Sequence, residues 1–196
     1  MRSNLPYVPL IAILLIAVPL IVALGLGWND PRPPEPADWS APMLPRRVTA
    51  RPDTAAVSLL DQRVTDFTFE TLARPVAGPD SGFYGYGLVY RAQDQGRYYA
   101  FAVGGDGYYG VLRVDGEEEV ALIPWQQFPH IRRGFQENRL RLTCAGAVCD
   151  LTINDEYAAT VEDETSLSGD VGILVIGFDD PVNVEFSSAD LWLSED

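Results

Sequence analysis

Six tyrosines sit on three successive period-two runs. Tyr84 and Tyr86 are on the first, Tyr98 and Tyr99 on the second, and Tyr108 and Tyr109 on the third. Arg91 and Arg97 lie beside them, and Trp125 follows. An aromatic ring with a hydrogen-bonding tip, next to a guanidinium, suits the apolar C–H faces and hydroxyls of a sugar. Strand alternation requires one ring of each adjacent pair to point inward, so at least half of this set belongs to a core. Tyr84, Tyr86, Arg91, Arg97, Tyr98, Tyr108 and Trp125 are therefore the candidate ligand-binding residues, with core packing as the competing role.

The other reactive side chains are few. Cys144 and Cys149 bracket Ala145-Gly146-Ala147-Val148 between two runs that read as a hairpin. A bridge across it requires both to face one side; the alternative is two buried thiols. The closed loop would be short, so its chain-entropy gain is at the low end, about 2 kcal/mol. His130 is the single histidine and lies in the loop-like Trp125–Ile131 segment. Nothing near it resembles a nucleophile elbow. The acids cluster as Glu117-Glu118-Glu119, Glu162-Asp163-Glu164 and Asp179-Asp180, at expected turns and strand ends where such groups are solvated.

These residues need a scaffold, and the 196-residue chain supplies three zones. Residues 1–28 read as a membrane anchor, since Leu5 to Trp28 carries no charge and is long enough for a bilayer core of roughly 30 Å. Arg2 before it and Asp30 after it favour a cytoplasmic N-terminus and an extracytoplasmic remainder. A cleavable signal peptide is the rival, with Ala23-Leu24-Gly25 as a passable site, although the apolar run exceeds the usual length. Residues 29–52 hold Pro31, Pro33, Pro34, Pro36, Pro42, Pro45 and Pro52 and read as an extended linker. Trp39 and Met43-Leu44 are placed to dock back on the domain.

Residues 53–196 form the folded part. Short runs of period two recur, among them 67–71, 84–90, 97–103, 107–114, 139–144, 149–153, 171–176 and 184–193. Gly, Asp and Asn punctuate them, as in Asp94-Gln95-Gly96, Asp115-Gly116 and Asn154-Asp155. Regular short strands with such turns predict an antiparallel sandwich or barrel. The formal net charge of −14, without a single lysine, excludes the clustered cations of a nucleic-acid binder.

Particular strings carry a family likeness. They are Tyr86-Gly87-Leu88-Val89-Tyr90-Arg91, Tyr98-Tyr99-Ala100-Phe101, Asp106-Gly107-Tyr108-Tyr109-Gly110-Val111, Asn138-Arg139-Leu140-Arg141-Leu142, Leu151-Thr152-Ile153-Asn154-Asp155 and Ser168-Gly169-Asp170-Val171-Gly172-Ile173. A closing strand, 184–193, contains Asp190. From about Asp66 to Leu193 the chain resembles the concanavalin A-like lectin/glucanase superfamily. Within it, the chain is most similar to the laminin-G-like and keto-disaccharide-hydrolase-like domains of bacterial surface proteins. The resemblance implies an all-β jelly-roll antiparallel sandwich, here behind one N-terminal transmembrane helix. The concave sheet of that fold often holds the ligand.

The glucanase branch carries Glu-x-Asp-x-x-Glu on one strand face, and this chain has no Glu-x-Asp. That departure turns the expectation away from glucanase-type hydrolysis, and no catalytic residue is assigned. Relatives often hold one structural calcium, for which Asp106, Asp179, Asp180 and Asp190 are the candidates by ligand type. No other cofactor is expected. The leading expectation is a non-catalytic recognition module for a glycan or a partner protein, single-pass in the cell membrane with its C-terminal domain extracytoplasmic. The alternatives are an extracellular carbohydrate-active enzyme and an accessory subunit of a membrane protein complex.

Overall fold

Alternating apolar and polar residues make one face of a strand sticky and the other wet, and two such faces bury each other. The computed structural model describes residues 13, 15, 17–19, 33, 35–42, 44 and 46–194, and thirteen strands appear among them. They are β1 (Trp39–Ser40), β2 (Arg46–Ala50), β3 (Thr54–Val64), β4 (Phe67–Ala77), β5 (Tyr84–Asp94), β6 (Arg97–Gly104) and β7 (Tyr108–Asp115). There follow β8 (Glu118–Gln127), β9 (Asn138–Ala145), β10 (Val148–Ile153), β11 (Glu156–Glu162), β12 (Gly169–Gly177) and β13 (Val182–Leu193). Sheet A runs β1-β13-β4-β9-β10-β11, with β2 also on β13, and sheet B runs β3-β12-β5-β6-β7-β8. All recorded pairings are antiparallel.

The core lies between the sheets. Phe67, Phe69, Leu140, Leu142, Leu151 and Phe186 come from sheet A; Tyr86, Leu88, Tyr90, Phe101, Val111 and Ile173 come from sheet B. Alternation sends a second set to the other face of sheet B: Val89, Tyr98, Ala100, Leu112 and Leu174 form their own apolar cluster. On the outer face of sheet A the polar positions pair across strands. Arg141 on β9 reaches Glu70 on β4 at 2.6 Å and Asp155 at 3.0 Å.

The expected boundary between linker and sandwich moves. The chain divides into the units Met1–Arg32 and Pro33–Asp196. The linker expected over 29–52 is not extended to its end, because β1 and β2 add to the edge of β13 and Val48 and Ala50 are buried in the core. Proline is compatible with an edge strand's surroundings, since an edge has backbone groups that need no partner. The sandwich thus begins near residue 39 rather than 53. The anchor expected at 1–28 lies almost wholly outside the described residues; Ile13, Leu15 and residues 17–19 are helical. Among the described residues no helix is long and apolar enough to cross a membrane.

The cysteines form a disulfide, Cys144–Cys149. They are directly opposed across the β9–β10 hairpin and both face the core. The turn they close is tied to sheet B, because Arg91 on β5 donates to the carbonyl of Gly146. A second tie is Asp163, just past β11. It accepts from the Tyr99 hydroxyl at 2.7 Å, from the Thr165 backbone N–H at 2.7 Å and from Arg113 at 2.6 Å. Burial alone would push the Asp163 carboxyl up. The hydrogen bonds from Thr165 and Tyr99 and the Arg113 charge outweigh burial and hold it below the ordinary carboxylate range.

Two outcomes are expected. Cys144→Ala/Cys149→Ala lowers stability by about 2 kcal/mol, which in a domain of this size is a fall of roughly 4–8 °C in Tm. Thermal melts measure that loss, and intact mass with and without reductant checks the bridge. A depressed folded-state pKa at Asp163 contributes stability that is full above the unfolded value and is lost as pH falls through the folded one. Asp163→Asn is therefore less stable than the parent at neutral pH, and the gap closes as pH drops below about 4, followed by melts across that range.

Candidate functional site

The structure separates the candidate ligand residues into three places. Tyr84, Tyr108 and Trp125 line a cleft at one end of sheet B. Arg91, Arg97 and Tyr98 line a second cleft at the other end. Tyr86 is in neither. It is wholly buried, and its hydroxyl accepts from the Asn138 side-chain amide at 2.7 Å. Burial pushes the Tyr86 hydroxyl well above its usual range, while the Asn138 hydrogen bond pulls the other way. The second ring of each tyrosine pair turns inward as alternation requires: Tyr99 binds Asp163, and Tyr109 donates to the Ala158 carbonyl at 3.2 Å.

The acids proposed for calcium do not come together. Asp106 is in the β6–β7 turn, where it accepts from the Tyr108 backbone N–H. Asp179 and Asp180 lie between β12 and β13, and Asp190 is within β13, accepting from Ser40. Among the described residues no three His, Cys, Asp or Glu side chains are grouped to hold an ion. Turn chemistry and cross-strand pairing account for Asp106 and Asp190. His130 is exposed in the loop after β8, where its backbone carbonyl accepts from Asn154.

The first cleft has a volume of about 430 Å³ and is lined by Phe83, Tyr84, Asp106, Tyr108, Trp125 and Phe178. Three aromatic rings form a row. Phe83 and Phe178 pack with centroids 4.6 Å apart, and Trp125 meets Phe178 edge-on at 6.1 Å. The indole of Trp125, on β8, lies across bare backbone. A Cβ at Gly110 would come within 3.2 Å of it and one at Gly85 within 3.3 Å, so glycine at these positions lets the ring approach the sheet closely.

The walls of this cleft are fastened by backbone bonds. Asp106 N–H donates to the Gly82 carbonyl, Phe128 N–H to Gly107 and Gly134 N–H to Gly105. The Tyr84 hydroxyl donates to the Gly134 carbonyl at 3.2 Å. Burial, and then the Asp106 charge, push the Tyr84 hydroxyl up to about 12, so it is a neutral donor at physiological pH. The Tyr84 hydroxyl is thus spent on the frame, and the cleft offers a ring surface, the Asp106 carboxylate and the Tyr108 hydroxyl. That is a binding surface for a ligand with apolar faces and hydroxyls.

Phe83 and Phe178 were not among the sequence candidates. Phe178 stands directly before the Asp179-Asp180 pair, and Phe83 precedes Tyr84 at the start of β5. Each sits in a turn outside any alternating run, so periodicity does not single it out.

The second cleft measures about 370 Å³, and its lining includes Arg91, Gln93, Arg97, Tyr98, Arg113 and Thr165. Arg97 pairs with Asp94 at 2.7 Å on the surface. Tyr98 is the outward ring of its pair, and burial raises its hydroxyl.

No protein-family model matches the chain, and no curated protein does. Solved structures do match. The carbohydrate binding module CBM66 from Bacillus subtilis is 18% identical with a TM-score of 0.61, over 74% of this chain and 85% of that one. A functionally unknown protein from Saccharomyces cerevisiae is 14% identical with a TM-score of 0.54, over 84% of this chain and 95% of that one. A Bacteroides ovatus GH16 protein of a mixed linkage glucan locus, in complex with a product, is 10% identical with a TM-score of 0.54, over 74% and 79%. What this chain shares with them is a fold, the antiparallel two-sheet sandwich of concanavalin A-like type.

Proposed function

We propose that this chain is a membrane-tethered, extracytoplasmic recognition module that binds a neutral glycan in its aromatic cleft, without catalysis. The row Trp125–Phe178–Phe83 along an open cleft carries this reading. Sugar rings stack their C–H faces on such a surface, and Tyr108 and Asp106 on its lining stand ready for hydroxyls. Two of the structures that share the fold are named for carbohydrate binding or a glucan, which supports the choice of ligand class. Glycoside hydrolysis needs a pair of carboxylates across the bond, and the lining of this cleft contributes Asp106. The uncharged run from Leu5 to Trp28 supports the tether, and Arg2 supports its orientation.

Two experiments test the proposal. On an array of neutral oligosaccharides the full-length chain gives hits, and Trp125→Ala weakens them about five-fold or more, since one stacking contact is worth roughly 1 kcal/mol or above. An array without hits, or hits that Trp125→Ala leaves at full strength while its Tm is unchanged, would sink the glycan reading. Alkaline carbonate extraction of membranes tests the tether: the chain pellets, and a chain lacking 5–24 does not.

A further inference from the structure

The second cleft has a chemistry unlike the first. Arg91 ends the regular part of β5, where the pairing with β6 shifts register between Tyr90 and Asp94. Its backbone is left-handed, with φ of 50°. An arginine in that region is uncommon, and backbones of this kind collect at functional sites. The side chain is only 1% exposed. Its guanidinium donates to two backbone carbonyls, of Gly146 and Asp163, and its Nε has no hydrogen-bond partner. A cation taken out of water normally meets a carboxylate and a full set of acceptors. Arg91 meets carbonyl dipoles.

More cations surround it. Arg113 lines the cleft while bound to Asp163 and Thr165. Arg97 lines it too, and its pair with Asp94 is exposed, with 58% and 49% of the side chains accessible. Exposed pairs of this kind are weak, so the Arg97 fork is free to turn to another acceptor. Arg63 is exposed and donates to the Gln93 side chain at 3.0 Å, and Gln93 forms part of the wall. Against these stand Asp94, Asp115 and Asp163, with Glu119 near Tyr98 and Asp170 in register with Arg63. Asp94 and Asp163 are engaged by Arg97 and Arg113, while the hydrogen bonds of Arg63 and Arg91 go to amide and carbonyl groups. Thr165 and Ser166 add hydroxyls to the lining.

From this geometry we infer that the arginine cleft binds the carboxylate or sulfate group of an anionic saccharide. This rests on the glycan reading above and adds a second site to it. Guanidinium forks match planar oxyanions two bonds at a time, which an uncharged sugar does not exploit. Arg91 provides fixed positive charge beneath the floor. Arg97 and Arg113 contact the anion, and Gln93, Thr165 and Ser166 take the neighbouring sugar hydroxyls. On a chain of net charge −14 the attraction is local, so an acidic ligand is drawn here rather than to the surface at large.

Calorimetric titration of the full-length chain with trigalacturonate, with sodium sulfate and with its best neutral array hit tests the inference. Trigalacturonate is expected to bind, more weakly as salt rises from about 50 to about 500 mM. Arg63→Ala/Arg97→Ala, two exposed positions whose loss leaves Tm unchanged, weakens it about ten-fold and leaves the neutral ligand's affinity as it was. Arg91→Met weakens it further if its melt shows a folded protein. Trp125→Ala leaves trigalacturonate binding intact. Unchanged affinity in the double arginine variant overturns the inference, as does loss of trigalacturonate binding in Trp125→Ala. So does a parent chain that binds neutral glycans and no trigalacturonate, and in that case the glycan reading stands. Sulfate binding as tightly as trigalacturonate overturns the saccharide part, and a chain that binds no saccharide overturns both readings.

Discussion

A buried phenol usually finds a hydrogen-bond partner, and in this sandwich the partner of Tyr86 ties down the loop at one end of sheet B. Its hydroxyl, on β5 of sheet B, accepts from Asn138 at the start of β9 in sheet A. The same amide donates to the Arg132 carbonyl, and the Asn138 side-chain carbonyl accepts from the Arg132 N–H and from Asn154. One wholly buried side chain thus joins the two sheets and folds the loop between β8 and β9 back on itself. An apolar residue there would leave several buried groups unsatisfied, each at a cost of about 1–3 kcal/mol.

The aromatic cleft inherits its shape from that loop. Once Asn138 has set residues 128–137, Gly134 offers its carbonyl to Tyr84 and its N–H to Gly105, and Phe128 donates to Gly107. The β6–β7 turn is thereby held against the β4–β5 loop, with Asp106 bonded to Gly82. The rings of the cleft stand on a frame fixed by backbone hydrogen bonds, so little ordering entropy is left for a ligand to overcome. At the other end the frame is electrostatic. Arg91 ties sheet B to the disulfide-closed turn of sheet A, and Asp163 gathers Tyr99, Arg113 and Thr165.

Between these ends the outer face of sheet B carries an apolar patch. Val89, Ala100, Leu112 and Leu174 cluster there, with Gly85 and Gly110 beneath the indole of Trp125. The sheet therefore separates two chemistries, aromatic at the start of β5 and guanidinium at its end. Strand β5 reaches both, because its eleven residues run the length of the sheet. Tyr84 and Arg91, close in sequence, serve different clefts for that reason.

Period-two alternation is a local property, and most of the sandwich could be read from it. The runs 84–90, 97–103, 139–144 and 171–176 are strands, each adjacent tyrosine pair splits between the two faces, and Cys144 and Cys149 face each other across a hairpin. Local pattern also marked Tyr108, whereas Trp125, in a segment that reads as a loop, is on β8, and the pattern shows none of the partners that make them a cleft. Other features depend on contacts between residues far apart in the chain. Arg46–Ala50 becomes a strand only because β13 offers an open edge, so a proline-flanked segment joined the sheet. Phe83 and Phe178 are brought together from loops far apart in the chain, and Asn138 reads as an ordinary strand start until Tyr86 is opposite it. The register shift at Arg91 turns what alternation presents as a strand residue into a buried cation at the edge of a cleft. Alternation says which face a side chain takes. Which residue lies across from it is set by pairing and by the closure of loops, and that is where both clefts arise.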